Sequence, residues 1–273
     1  MSIFFDISTP DSAYFFLLDI VGFSSEELIM EYRVECDSDL DLFWERNKHR
    51  IEGIDINDVH FLAFHVTGSL DECSEIKKIG IRNLQYVLSH NTMLSKLLSQ
   101  NGIHFDIEKR VMFIDDKQYN VDYDYYRNYR RRTPTEKELE SIAHRIYYDF
   151  CVDGFFANDR IESYGTRIHE RPEFITTLIN LSPKAARLDA FWTAKSTPYK
   201  VVFYATADQI HKFTFDIEKN NDPYTLSEQE SIKKWMLINA VDRAFDPYGE
   251  LYIYIRDDMY IPPEQIVSCE RMY

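Results

Sequence analysis

Two hydrophobic periods occur along this chain, and together they predict a mixture of helices and strands. Short apolar runs occupy residues 59–66 and 199–205, and their length and composition are typical of buried strands. A further run over residues 251–255 alternates tyrosine with aliphatic side chains, which predicts another strand late in the sequence. Residues 84–98 instead carry apolar side chains at helical spacing, which predicts a helical stripe interrupted near Asn91.

Helix starts and the order of the elements refine this picture. A hydroxyl residue followed by carboxylates predicts a helix start at Ser24, and Thr135, which follows Pro134, opens a predicted helix that runs to about residue 150. Residues 227–244 are another predicted helix, and residues 111–114 a minor strand. Because the strands do not alternate regularly with helices and the late ones lie close together, the pattern favours an α+β fold over a doubly wound sheet.

Composition narrows the class of protein. The chain has 273 residues, 45% of them hydrophobic and 15% aromatic, which favours a packed globular protein over a disordered one. No run approaches 18 uncharged apolar residues, and the first residues lack the basic region of a signal peptide. The four cysteines are scattered without a Cys-x-x-Cys pair, so reduced thiols are expected. We therefore predict a cytoplasmic protein that has no membrane association.

The negative charge is concentrated at the start of the chain. The net charge is −15, and residues 1–57 hold 13 acidic against 4 basic side chains. This composition predicts an acidic, mostly helical N-terminal extension over residues 1–57, followed by one domain over residues 58–273. An acidic segment repels nucleic acid, but a basic groove elsewhere or a basic partner is compatible with it.

Two short motifs carry the candidate chemistry. His65-Val66-Thr67 lies at the end of the first apolar run, and Glu250 opens the last one, ahead of an Ile-Pro-Pro-Glu-Gln-Ile segment that contains Glu264. Taken singly, a histidine on an apolar strand is more often a core residue, and a glutamate at a strand start is more often solvated. Their joint order is what suggests a function.

This order resembles the ADP-ribosyltransferase superfamily, in its PARP-like and diphtheria-toxin-like branch. The resemblance implies a split mixed or antiparallel sheet with flanking helices, and NAD as co-substrate. It also implies that His65 holds a ribose hydroxyl and that the backbone at Val66 and Thr67 grips the nicotinamide amide. Glu250 would be the catalytic carboxylate, since a negative charge stabilises the oxocarbenium-like ribose left when nicotinamide departs. In the family pattern Glu264 belongs to the closing turn.

A middle motif supplies candidates for stacking on nicotinamide. Gly154-Phe155-Phe156-Ala157, followed by Ser163-Tyr164, resembles the family's Gly-x-Tyr-Phe-Ala and Ser-x-x-Tyr, although phenylalanine stands where tyrosine is usual and one residue is missing. We therefore expect the stacking ring to be Phe155, Phe156 or Tyr164. Core packing is an equally good interpretation of the two phenylalanines.

Residues 123–132 combine four tyrosines with four arginines and a single acid. Arginine contacts phosphate and tyrosine stacks on bases, so the segment fits single-stranded nucleic acid. A solvated loop, or a surface that contacts an acidic protein such as an antitoxin, explains it equally well. The predicted nucleic-acid-binding residues are Tyr126, Arg127, Tyr129, Arg130, Arg131 and Arg132.

The sequence therefore predicts an enzyme that transfers ADP-ribose from NAD to a nucleic acid, and RNA is slightly favoured over DNA as the acceptor. The resemblance adds that such enzymes are often bacterial toxins or anti-phage effectors held in check by an antitoxin. A protein acceptor, NAD hydrolysis and a non-catalytic binding module are the alternatives. No phosphate-binding glycine loop and no zincin motif occurs, and His144 and His169 lack ligand spacing, so no metal is predicted.

Overall fold

A computed structural model describes residues 2–128, 132–217, 226–246 and 249–272 of the chain. The chain divides into two units, each built from three separate segments. Unit 1 comprises Met1–His65, Asp153–Arg160 and Val202–Arg256. Unit 2 comprises Val66–Val152, Ile161–Val201 and Asp257–Tyr273. Residues 1–57, predicted as an extension, thus belong to unit 1 together with later parts of the chain.

The elements are a mixture of helices and strands, which confirms the α+β class. The strands are β1 (Ile3–Phe5), β2 (Val59–Ser69), β3 (Ile103–Asp106), β4 (Val111–Ile114), β5 (Lys117–Asn120), β6 (Asp153–Asn158), β7 (Thr197–Ala205), β8 (Glu250–Tyr254) and β9 (Ile266–Arg271). The α-helices are α1 (Pro10–Phe15), α2 (Ser25–Ile29), α3 (Leu40–Ile51), α4 (Ser74–Ile79), α5 (Leu84–Ser89), α6 (Met93–Gln100), α7 (Tyr123–Arg127), α8 (Pro134–Tyr147), α9 (Glu173–Leu178), α10 (Pro183–Lys195) and α11 (Glu228–Phe245).

The strands form two sheets. In the larger sheet the order is β8-β6-β2-β7-β9, and β1 pairs in parallel with the start of β2. The β2–β6 and β6–β8 pairs are antiparallel. The smaller sheet, β3-β4-β5, is an antiparallel meander within unit 2. The predicted strands at residues 59–66, 111–114, 199–205 and 251–255 correspond to β2, β4, β7 and β8, so these four predictions are confirmed.

Unit 1 has an aromatic core between its strands and α11. Alternation along β2 directs Phe61 inward, where its ring centroid lies 5.7 Å from that of Phe5 and 6.4 Å from that of Phe156. From α11, Trp235 contacts Phe156 at 5.0 Å and Phe215 at 5.2 Å. Each such ring buries enough apolar area to contribute roughly 1.5–3 kcal/mol relative to an exposed position. This cluster anchors β1, β2 and β6 to α11.

Several helices of both units begin at side-chain caps that the sequence contains. Ser24 and Ser227 each accept a hydrogen bond from the backbone three residues on, and the glutamate at that third position bonds back to the cap. Helix α8 has the same arrangement at Thr133, so it begins at Pro134 and ends at Tyr147, three residues before the predicted end. Residues 84–98 form two helices, α5 and α6, because the Asn91–Thr92 turn separates them and Thr92 caps the second.

Unit 2 has its own aliphatic core, made by the small sheet and helices α6, α8, α9 and α10. Close backbone approaches at two glycines complete it. The Trp192 indole donates to the Gly68 carbonyl at 2.8 Å, and a Cβ on Gly68 would stand 2.2 Å from the Glu170 carbonyl oxygen. Gly80, with φ +80°, ends α4 and lies against the Ile261 carbonyl. Only glycine fits at either place.

The acidic charge is a property of the whole of unit 1. Its three segments hold 25 acidic and 11 basic residues, whereas those of unit 2 hold 21 and 20. In the described ranges, no helix combines the length and the apolar composition needed to cross a membrane.

Candidate active site

The three strands that carry the sequence motifs are direct neighbours. Strand β6 lies between β2 and β8, with Phe64 paired with Phe155 and Phe155 paired with Tyr252. Gly154 allows the close approach of β6 to β2, because a Cβ there would stand 2.7 Å from the Phe64 carbonyl oxygen. The motif residues of β2 and β8 each lie about ninety residues from β6 in the sequence, and the fold brings both strands beside β6.

Glu250 is the first residue of β8 and its side chain is exposed. Its Oε2 accepts a hydrogen bond of 2.7 Å from the hydroxyl of Tyr252, two residues further along the same face of the strand. On the neighbouring strand its partner is Asn158, the last residue of β6. The carboxylate is therefore held at the edge of the paired region and accessible to a ligand.

An ion pair close in sequence to Glu250 holds Gly249, the residue before it. Arg243, on α11, has only 6% of its surface exposed and binds both carboxylate oxygens of Asp159, one at 2.7 Å. Its guanidinium also donates to the Ser8 carbonyl at 3.0 Å. These contacts lower the pKa of the Asp159 carboxyl, and so does a hydrogen bond from the Gly249 amide. Gly249 is thereby tied to the end of β6, which positions Glu250.

A cavity opens at this place. Its volume is about 260 Å³, and its described lining consists of Asn158, Asp159, Arg160, Gly249 and Glu250. This is slightly below the roughly 300–1,000 Å³ of pockets that hold drug-sized ligands, so the cavity suits one ring of a larger ligand. Its charged lining residues are Asp159, Arg160 and Glu250. A polar group such as a hydroxylated sugar ring fits this chemistry.

Asn158 is the buried polar residue of this lining. It is 8% exposed, and its Oδ1 accepts from the Arg160 amide at 2.9 Å, which fixes the orientation of the side-chain amide. Within the described part of the chain its Nδ2 has no hydrogen-bond partner. The sequence contains no specific signal for Asn158, because asparagine is common at the turns that end strands.

His65 lies on the other face of the sheet. Phe64, Phe155 and Tyr252 are cross-strand partners and so share a face, which is also the face of Glu250. His65 follows Phe64 in the strand, so its side chain points to the opposite face of the sheet. Its Nδ1 donates to the Asp153 carbonyl at 2.9 Å, which links β2 to β6. The structure brings the strands of His65 and Glu250 together but does not bring their side chains to one face.

The predicted stacking residues are placed differently from one another. Phe155 is 4% exposed and packs between Phe64 and Tyr252, and Phe156 is fully buried against Phe61 and Trp235. Consecutive residues of a strand point to opposite faces, and both faces of β6 are covered, so the two phenylalanines are both buried. The remaining predicted residues belong to unit 2, where Val66 is buried, Thr67 is half-buried and Tyr164 stands half-buried in a turn.

A row of aromatic rings that sequence analysis did not select extends from Glu250. Tyr252 and Tyr254 lie on the same face of β8 with ring planes 23° apart. The ring of Phe213 is 5.2 Å from that of Tyr254 and stacks on His211 at 4.8 Å. Phe213 is 56% exposed, unusual for a phenylalanine. The period-two spacing of Glu250, Tyr252 and Tyr254 in the sequence could have indicated that these side chains share one face of a strand.

The predicted nucleic-acid segment is only partly described. Tyr126 is 3% exposed, contributes to the unit 2 core and donates to the Asn120 carbonyl at 2.8 Å, so its ring has no free face for a base. Arg132 pairs with Glu140. Arg127 is well exposed and lies 3.5 Å from Asp124. The remaining predicted residues, Tyr129, Arg130 and Arg131, lie outside the described residues.

Comparison of the sequence and the fold with models of known families, with curated proteins and with solved structures finds no match in any of the three. A functional assignment for this chain therefore depends on the geometry of its own residues and on the resemblance of its motifs.

Proposed function

We propose that this chain is an NAD-dependent ADP-ribosyltransferase in which Glu250 is the catalytic carboxylate. The observation that carries the proposal is the adjacency of β2, β6 and β8, the three strands whose motifs resemble the superfamily. An exposed carboxylate at a polar cavity, with aromatic rings beside it, is consistent with the substrate. On this proposal the larger sheet is the ADP-ribosyltransferase sheet core.

In the proposed reaction the bond between ribose C1′ and the nicotinamide nitrogen breaks. Its electron pair goes to nicotinamide, which leaves as a neutral molecule, and C1′ becomes oxocarbenium-like. A carboxylate close to this centre stabilises the positive charge. The acceptor then attacks C1′ through an oxygen or nitrogen and loses a proton, giving the ADP-ribosylated acceptor. Glu250 is assigned both the stabilisation and the orientation of a ribose hydroxyl.

The aromatic row gives the nicotinamide ring a place to stack. In NAD this ring is a pyridinium cation, and a cation over a tyrosine face gains roughly 0.5–2 kcal/mol. The neutral product loses the cationic part of this attraction. Free nicotinamide is therefore held more weakly than NAD on the ring of Tyr252 or Tyr254 and leaves the site more readily. The Tyr252 hydroxyl also holds the Glu250 carboxylate. This assignment replaces Phe155 and Phe156, which are buried.

We propose single-stranded RNA as the acceptor, because of the composition of residues 123–132. Among the arginines of that segment that the structure describes, Arg127 is well exposed. Unit 1 repels a polyanion, whereas the segment belongs to the nearly neutral unit 2. A role as a cytoplasmic toxin or anti-phage effector with an antitoxin partner follows from the resemblance alone. Transfer to a protein, or to water, remains the alternative outcome of the same chemistry.

The test is incubation with labelled NAD and, in separate reactions, RNA, DNA, protein or buffer alone. We expect wild type to label RNA and to release nicotinamide, and Glu250→Gln to lose at least about 100-fold in rate, the scale for loss of one transition-state electrostatic contact. Glu264→Gln is the matched control, since Glu264 is an exposed glutamate in a short turn, and it should keep wild-type activity. Nicotinamide release without transfer would identify a glycohydrolase.

The opposite orientation of His65 favours a second candidate, a non-catalytic binding module. On that alternative His65 ties β2 to β6, Glu250 is a solvated strand end, and the residues of the 123–132 segment bind nucleic acid. Folded protein would then release no nicotinamide under any condition. Glu250→Gln would leave RNA binding unchanged, and the binding constant would fall steeply with salt.

A further inference from the structure

Three aromatic side chains meet at the surface of unit 2, where α7 lies against the end of α8. The ring centroids of Tyr123 and His144 are 5.3 Å apart, those of Tyr123 and Tyr148 are 5.5 Å apart, and those of His144 and Tyr148 are 4.9 Å apart. Tyr148 is 67% exposed, the highest value among the phenylalanines and tyrosines of the described residues. The ring cluster, made of Tyr123, His144 and Tyr148, therefore presents a supported tyrosine ring to solvent.

The rest of unit 2 holds the ring cluster in place. Tyr123 is the first residue of α7, and its side chain packs against the unit 2 core. On the same helix, the buried Tyr126 donates to the Asn120 carbonyl at 2.8 Å. At the end of α8, the Tyr148 amide donates to the His144 carbonyl at 2.9 Å. Because these rings are ordered before any ligand arrives, stacking on them costs little conformational entropy.

Arg127 places a cation beside the ring cluster. Tyr123 and Arg127 are the first and last residues of the five-residue helix α7, so their side chains lie on one face of it. The Arg127 side chain is 59% exposed, and its contact with Asp124 is long, at 3.5 Å. Arg110 binds the same carboxylate more closely, at 3.0 Å. Since an exposed ion pair of this kind contributes little, a phosphate can replace Asp124 as the partner of Arg127.

We propose that the ring cluster and Arg127 form a binding site for single-stranded nucleic acid, in which an unpaired base stacks on Tyr148 and a neighbouring phosphate binds Arg127. Every base has a π face that a tyrosine ring can cover, whereas the bases of a duplex are already stacked on one another. The choice of RNA as the ligand rests on the proposed function. Of the contacts predicted from composition, Arg127 belongs to this site, and the three residues of the ring cluster are new.

The test is fluorescence anisotropy of the full chain, without NAD, with a labelled and unpaired RNA of about ten nucleotides. We expect wild type to bind this single strand more tightly than the same RNA annealed to its complement. Tyr148→Ala should lower the affinity about 5- to 150-fold, the effect of removing one base stack, whereas Tyr148→Phe keeps the ring and should stay within about twofold of wild type. Arg127→Gln should weaken binding and reduce the slope of its salt dependence by about one.

Phe191→Ala is the matched control, because Phe191 is an exposed ring of unit 2 on another helix, α10. It should bind RNA as wild type does. Since Tyr148 is mostly exposed, Tyr148→Ala should also keep the wild-type melting temperature, and its loss of affinity then reports on the site. Wild-type affinity in Tyr148→Ala, an equal loss in Tyr148→Phe, or a preference for the duplex would overturn the proposal.

Failure of this site and failure of the proposed function give different results. If wild type binds neither the RNA nor the DNA of the same sequence at low salt, the site is wrong, whereas nicotinamide release that depends on Glu250 would still stand. Binding that depends on Tyr148, in a protein that releases no nicotinamide, would support the site and remove the proposed reaction. Equal binding of the DNA would also support the site, because stacking does not read the ribose 2′-hydroxyl.

Discussion

The ion pair between Arg243 and Asp159 makes a sharp prediction, because its two partners differ in burial. Arg243 is nearly inaccessible, whereas about a third (35%) of the Asp159 side chain is exposed. When Arg243→Met removes the cation, Asp159 can be hydrated by water, but the Ser8 carbonyl also loses its donor. When Asp159→Asn removes the anion, a buried guanidinium loses its ion pair with Asp159. The substitution of the more exposed residue should therefore be the more costly one.

The magnitudes follow from the contacts. A hydrogen bond to a charged group contributes about 1.5–3 kcal/mol, and hydration of the partly exposed Asp159 reduces the loss in Arg243→Met to about 2 kcal/mol. Breaking a buried ion pair by removing one partner costs about 3–5 kcal/mol, so Asp159→Asn should lose about 4 kcal/mol. Because the variants remove one shared interaction, the double variant should be less destabilised than the sum of the two single losses.

The pH dependence has a definite sign. The pKa of Asp159 is lower in the folded state than in the unfolded state, so the unfolded state binds more protons. The stabilisation is fully present above the unfolded value of about 3.9 and is lost as the pH falls through the lower folded value. The stability gap between wild type and Arg243→Met should therefore narrow as the pH falls below about 4.

Urea unfolding at pH values from 7 to 3, followed by tryptophan fluorescence, measures these quantities. Two of the three tryptophans, Trp44 and Trp235, belong to unit 1, which contains the ion pair, and Trp192 belongs to unit 2. If Arg243→Met costs more than Asp159→Asn, or if the gap widens on acidification, the reasoning about burial and charge is wrong.

Three further substitutions, one of them with a matched control, test the packing at β6 and a helix cap in unit 2. Gly154→Ala places a Cβ against the Phe64 carbonyl and should cost about 1–3 kcal/mol in urea unfolding, whereas Gly53→Ala, with open space around it, should change stability by less than about 0.5 kcal/mol. Phe156→Ala should lower the free energy of unfolding by about 3–5 kcal/mol, and a loss below 1 kcal/mol would contradict its place in the core. Thr133→Ala removes the cap of α8 and should cost about 1 kcal/mol with reduced helical circular dichroism, and an unchanged melting curve would show that the cap contributes nothing.

Features that depend on neighbouring residues were predictable from the sequence. The cap at Ser24, the helix after Ser227 and the strands β7 and β8 are encoded within a few residues, since capping boxes and period-two alternation act locally. The α+β class follows from their order. Predicted ends were less accurate, as for α8, because termination depends on what the helix packs against.

The boundaries of the units and the roles of single side chains required the tertiary structure. Tyr126 occurs in a segment whose composition suits a surface, yet its ring completes the unit 2 core. Residues 1–57 looked like a separate extension because of their charge, but unit 1 also includes segments from the middle and the end of the chain. Burial depends on contacts between distant segments, and composition within a segment carries no record of them.

The sequence by itself predicted the strands that bear His65 and Glu250, because each motif is local to one apolar run, but it did not predict β6, the strand that bears Phe155. The tertiary structure alone decided that these strands are neighbours and that His65 faces away from Glu250. The physical reason is register: a strand presents alternate residues to opposite faces, and only pairing with distant strands selects which of the two faces holds the site.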